Sequence, residues 1–249
     1  YRSIRFDTRK ALWRDSNLPF EVQFLHPGFN YGRAVGINLI TSDGVRPVSF
    51  DPDLFDYGPN NIDREAVRNA QPALGFSGFR VHFPVNDAAY KDEVLVFQGA
   101  SYFRALGAGQ RYGLSARGVA LDTGEMSGEE FPEFVEFWIA RPSADDRHLV
   151  IYALMDSPRL TGAYRFELHP DTRTRMAVRA EIYVREEGGK LGLAPLTSMY
   201  LFGENQNAPH PDYRPEVHDS DGLSVQTDQE WLWRPLVNPQ RLQVTSFAA

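Results

Sequence analysis

The chain has 249 residues, enough for one large domain or two small ones. A net charge of −7 with no basic run argues against nucleic acid, since phosphate binding needs a basic face. The lack of cysteine excludes disulfides, thiolate catalysis and cysteine-ligated metal, and no stretch of about 18 apolar residues could span a membrane. The 42% hydrophobic and 24% charged composition is that of a folded globular protein. The 13% aromatic share supplies a core and leaves a surplus that also suits carbohydrate-stacking surfaces.

In chain order, residues 20–24 (Phe-Glu-Val-Gln-Phe) alternate cleanly and predict a half-buried strand. Thr-Ser-Asp-Gly at 41–44 predicts a turn. Residues 63–70 predict two turns of helix, with Asn61 or Asp63 as the cap. Gly-Phe-Ser-Gly at 75–78 is a further turn signal. The continuous apolar run 149–154 predicts a strand buried on both faces, and residues 156–164 a turn into the next strand. Residues 178–185 alternate again, and Glu-Gly-Gly at 187–189 ends them. Residues 199–202 predict a short strand, the Pro-rich 207–213 a loop, and Asp-Ser-Asp-Gly at 219–222 another turn. Residues 242–247 alternate like the start of a strand. Together these predict an all-β protein, a sandwich of large antiparallel sheets in one domain over 1–249.

The densest chemistry lies at 213–223, with Glu216, His218, Asp219 and Asp221 followed by Gly222. On an extended segment residues two apart face the same way, so Asp219 and Asp221 are expected to raise each other's proton affinity. That suits a general acid or base in glycoside hydrolysis. The competing reading is an Asx-type turn in which Gly222 supplies a positive φ. A calcium loop fails at its first position, Val217, and carries Asp228 instead of glutamate at its twelfth. His218 has no partner at metal spacing and reads as a hydrogen-bonded or cleft-helper histidine, so no metal and no cofactor is expected.

Trp231 and Trp233 share one face of an extended segment. Core packing is the default for such a pair, and a platform for pyranose rings is the functional alternative. The glycine-rich stretch 107–118 is neither a P-loop nor a dinucleotide fingerprint, and lacks the G-x-S-x-G context of a catalytic serine. Ser115 and Arg117 are expected on one face, offering hydrogen bonds to sugar hydroxyls together with Tyr112. Glu129, Glu130, Glu133 and Glu136 predict a solvated face.

Longer motifs carry a resemblance. They are Gly-Ala-Ser-Tyr-Phe-Arg at 99–104, Tyr-Gly-Leu-Ser-Ala-Arg-Gly at 112–118 and Ser-Gly-Glu-Glu-Phe-Pro at 127–132. Phe-Trp-Ile-Ala-Arg-Pro at 137–142, Ala-Pro-Leu-Thr-Ser at 194–198, residues 213–222 and Trp-Leu-Trp-Arg-Pro at 231–235 extend it. On these stretches the chain resembles the periplasmic glucan biosynthesis proteins of Gram-negative bacteria, the G and D proteins of osmoregulated glucan synthesis, and is closer to the G type. The resemblance implies a large N-terminal β-sandwich of the galactose-mutarotase kind, cut short at its C-terminal end. It also implies a smaller immunoglobulin-like domain absent from this chain.

The same resemblance implies export to the periplasm after removal of a signal peptide. It implies action on β-1,2-linked glucan by an inverting β-1,2-glucanase or a glucan-processing relative, or else a non-catalytic carrier or scaffold. Asp219 then takes the role of general base, with the general acid in a segment beyond Ala249. Glu216, His218 and Asp221 become binding residues beside Tyr112, Ser115, Arg117, Trp231 and Trp233. The implied partners are the glucan, the inner-membrane glucan synthase and a second copy in a homodimer.

Overall fold

The structure is a computed structural model and describes residues 3–69 and 74–247. Strand makes up 46% and helix 5%, as an all-β protein requires. The first strands are β1 (Arg5–Phe6), β2 (Glu21–Leu25), β3 (Gly36–Thr41), β4 (Gly44–Pro47) and β5 (Phe55–Asp56). Then come β6 (Gly78–Asp87), β7 (Tyr90–Gln98), β8 (Tyr102–Ala105), β9 (Ser115–Arg117) and β10 (Val119–Leu121). The long strands β11 (Glu133–Ala140), β12 (Leu149–Asp156), β13 (Leu160–His169) and β14 (Arg175–Val184) follow. Six short ones close the order: β15 (Leu191–Leu193), β16 (Leu196–Thr197), β17 (Tyr200–Phe202), β18 (Val217–His218), β19 (Gly222–Gln226) and β20 (Trp231–Pro235).

Two six-stranded sheets carry the fold, ordered β14-β13-β12-β11-β3-β4 and β16-β9-β8-β7-β6-β2. Pairing within them is antiparallel except at β11 and β3, which run parallel from Glu136↔Gly36 to Ala140↔Ile40. The expected antiparallel sandwich therefore has one parallel seam.

Period-two alternation decides which face each strand buries. β13 turns Leu160, Tyr164, Phe166 and Leu168 inward, and β6 turns Phe79, Val81 and Phe83 inward. Across the gap Phe79 meets Phe137 edge-on at 5.1 Å between centroids, and Phe97 meets Phe166 at 5.0 Å. These rings join the sheets face to face. Each fully buried Phe contributes on the order of 1.5–3 kcal/mol.

The run 149–154 departs from expectation. β12 buries Leu149, Ile151, Ala153 and Met155, but Tyr152 and Leu154 on its other face stay 39% and 37% exposed. An apolar run of strand length does not reveal whether a second layer covers it. Residues 242–247 form no strand, since no described residue pairs with them. The turn signal at 41–44 held, with Thr41 Oγ1 closing the β3–β4 hairpin on Gly44 O at 3.1 Å, whereas 75–78 runs through a bridge of Phe76 with Val35 straight into β6. The helix α1 spans Arg64–Asn69, and Asp63 is its cap, accepting the N–H groups of Glu65 and Ala66 at 3.0 Å each. The end of the expected helix at Ala70 lies outside the described residues. No described helix is long and apolar enough to cross a membrane.

After β14 the chain returns along 115–121. β15 pairs with β10, β16 pairs with β9, and Arg117 N–H donates to Pro195 O at 3.0 Å. That return brings Ser198, Met199 and Asp219 to the outer face of the second sheet.

Candidate functional site

On that outer face lies a groove of about 530 Å³. Gln98 of β7, Tyr102 and Arg104 of β8 and Ser115 of β9 line it from below, while Tyr31 and Asp219 line it from loops. Asp219 follows β18 directly, and its turn is pinned twice. Its N–H donates to Met199 O at 2.7 Å, and Met199 N–H donates to Asp219 Oδ2 at 3.2 Å. Asp219 stays exposed, and its Oδ1 has no protein partner among the described residues. A carboxylate held by its backbone, with one oxygen open to a groove, can accept a proton from water or hold a sugar hydroxyl.

The floor of the groove is preorganised. Arg104 Nε donates to Ser115 Oγ at 2.6 Å. Alongside, Tyr112 OH donates to Glu93 Oε1 at 2.8 Å, while Arg80 pairs with the other oxygen of Glu93 at 3.1 Å. Burial, then the Glu93 charge, pushes the Tyr112 phenol well above its ordinary range, so it remains a protonated donor. Ser115 thus reaches the groove, whereas Tyr112 is engaged beside it.

Asp219 and Asp221 do not form the expected pair. Residues 219–221 bend instead of extending, so the two-residue spacing no longer sets a shared face. Asp219 turns to the groove, and Asp221 Oδ1 turns to His218 Nε2 at 3.5 Å. The same nitrogen lies 3.3 Å from Glu216 and 4.0 Å from Glu204. The His218 ring stacks on Tyr200 at 5.4 Å, and it needs glycine at 203, where a Cβ would come within 2.9 Å of Cδ2. Glu204, Glu216 and His218 bring ligand atoms within 4.8 Å of one another, so His218 does have neighbours at metal spacing. Glu204 escaped the sequence reading because it comes from a separate turn.

A scan against family models matches residues 1–249 to "Periplasmic glucan biosynthesis protein, MdoG". Glucans biosynthesis protein G of Ralstonia nicotianae is 57% identical over all of this chain and 49% of its own length. The proteins of that name from Sodalis glossinidius and Pseudomonas aeruginosa are 52% and 51% identical, over 99% and 100% of this chain and 47% of their own lengths. The chain belongs to the periplasmic glucan biosynthesis protein family. It spans about half the length of the curated relatives it matches.

In this family member other expected site residues lie apart from the groove. Arg117 is buried at 5% exposure, pairs with Glu129 at 2.6 Å and sits between the rings of Tyr102 and Phe131. It shares a face with Ser115, as its spacing predicts, but is buried between Tyr102 and Phe131 and does not line the groove. The four glutamates are not a solvated face. Glu129 holds Arg117, Glu130 holds Arg159, Glu133 holds Arg33 and Glu136 accepts from Asn38. Trp231 and Trp233 are not core residues; they stand 70% and 53% exposed on β20, outside the lining around Asp219. Gly222 is required by proximity, since a Cβ there would meet Trp233 Cζ2 at 2.5 Å. Sequence reasoning passed over Tyr31, Gln98, Tyr102 and Arg104 as site residues, although the 99–104 motif contained two of them.

Proposed function

We propose that this chain forms the glucan-binding groove of a periplasmic protein that cleaves or remodels linear β-1,2-glucan. Asp219 is its general base. The carrying observation is the open Asp219 carboxylate on a groove lined by Tyr102, Arg104 and Ser115. Aromatic faces and hydrogen-bond donors are what pyranose rings require. In the inverting route Asp219 takes a proton from water, directly or along a hydrogen-bonded chain, as that water attacks the anomeric carbon. An acid from polypeptide beyond residue 249 protonates the leaving oxygen, as the resemblance implies. The two carboxyls then stand about 6.5–9.5 Å apart. The names of the relatives and of the family support glucan biosynthesis and a periplasmic setting.

A second reading is a non-catalytic carrier or scaffold that guides nascent glucan at the inner-membrane synthase, alone or as a homodimer. It is favoured by the reciprocal Asp219–Met199 bonds, which give Asp219 a structural duty. Incubating the full-length protein with linear β-1,2-glucan separates the two. Hydrolysis is expected, and Asp219→Asn should lower it about 100-fold or more while keeping an acceptor for Met199 N–H. Unchanged hydrolysis by Asp219→Asn removes the base assignment. Saturable binding without products supports the carrier.

A further inference from the structure

A second cavity of about 570 Å³ opens at the far end of the same sheet face, lined by Phe6, Thr8, Gln23, His26 and Arg80 among others. Pairing registers connect it to the Asp219 groove. Gln23 of β2 lies opposite Arg80 of β6, Arg80 opposite Val96 of β7, and Val96 opposite Arg104 of β8. Arg104 is bonded to Ser115 of β9, and Ser115 lies opposite Thr197 of β16. Residues opposite one another in a ladder project to the same side. One row of side chains therefore crosses all six strands on one face. Gln23 and Arg80 line the second cavity, and Val96, Arg104, Ser115 and Thr197 line the groove.

Five strand gaps of about 4.7–4.9 Å make the row about 24 Å long. The row is braced where β6 meets β7, because Arg80 is held by Glu93, which Tyr112 also holds. No carboxylate lines the second cavity among the described residues. The Gln23 amide, the Arg80 guanidinium and the Thr8 hydroxyl beside the Phe6 ring suit a neutral polyol.

We infer that this second cavity is a distal sugar-binding pocket, and that the row is a track holding one linear glucan at both ends. The inference rests on the glucan reading above and adds a length requirement to it. A chain able to reach across about 24 Å gains contacts that a disaccharide cannot make. The two sites are then linked through one ligand, and the second contributes as an effective concentration.

The test is calorimetric binding of two linear β-1,2-glucans to the full-length protein, a disaccharide and a chain long enough to span the row. The wild type should bind the long chain at least tenfold more tightly. Gln23→Ala and Thr8→Val, both on side chains that line the second cavity and not the groove, should each erase most of that gain and leave disaccharide binding unchanged. Hydrogen exchange on the wild type gives a variant-free check, with residues 4–8 and 23–26 protected by the long chain only. Equal affinity for both lengths, or variants that keep the full gain, overturns the track while the groove reading stands. No binding of either glucan overturns both.

Discussion

The stretch from Glu21 to Val184 and the stretch from Leu191 to Pro235 are built on different terms. The first has strands of up to ten residues whose inward faces are packed with phenylalanine. The second has strands of two to five residues, and Phe202 is its one buried large apolar side chain among the described residues. Yet the second stretch supplies Asp219 and the Glu204–His218–Glu216 cluster. A rigid sandwich presents a sheet face, and a thinly packed return segment brings chemical groups to it. Such division lets side chains vary at the site at little cost to the fold.

The sharpest way to break this contrast is Phe97→Ala. Phe97 is fully buried and touches the rings of Phe79, Phe103, Phe134, Phe137 and Phe166, so it serves both sheets. Its truncation should cost about 3–5 kcal/mol, a large part of a typical total of about 5–15 kcal/mol. Urea unfolding measures it. A loss below about 1 kcal/mol would show that the sheets do not depend on this cluster.

Acid should act on the first region through His82. Burial is the main cause that pushes its imidazole below the ordinary histidine pKa, and its Nδ1 lies 3.2 Å from Lys91 O. The unfolded chain therefore takes up this proton first. The contribution of His82 is complete above the ordinary pKa of about 6.5 and is lost as pH falls through the lower folded value. His26 is shifted in the same direction, again chiefly by burial. Denaturant midpoints should decline from pH 7 to pH 5, and His82→Gln should make that decline shallower. An unchanged slope in the variant would assign the decline to other groups.

The two regions were also unequally legible. Alternation at 20–24 and 178–185, and the turn at 41–44, exposed two strands and a hairpin because such patterns are set locally. Burial of the outer face of β12 was not legible, because it depends on a layer that periodicity does not encode. At the site, position 219 stood out by composition, but the bend that parts Asp219 from Asp221 did not. Glu204 beside His218, and Arg104 beneath Ser115, are products of long-range pairing. Arg117 misled for the opposite reason: its face was read correctly, but its burial between Tyr102 and Phe131 and its pairing with Glu129 were invisible in the sequence.

The smallest expected effect separates the tryptophans. Trp231 is 70% exposed on a five-residue hairpin strand, so Trp231→Ala should change stability by no more than about 0.5 kcal/mol. Trp233 packs its ring over Gly222 and so holds the turn that follows Asp219 and Asp221. Its replacement by alanine should cost more than that of Trp231 and loosen the turn. On the proposed glucan binding, the exposed Trp231 indole stacks on a sugar ring. A stack worth on the order of 0.5–1.5 kcal/mol predicts a two- to tenfold weaker glucan affinity for Trp231→Ala at unchanged melting temperature. Fluorescence titration of the intact protein reads both. Equal affinity in Trp231→Ala would confine sugar recognition to the sheet face and leave β20 as a strut for the turn.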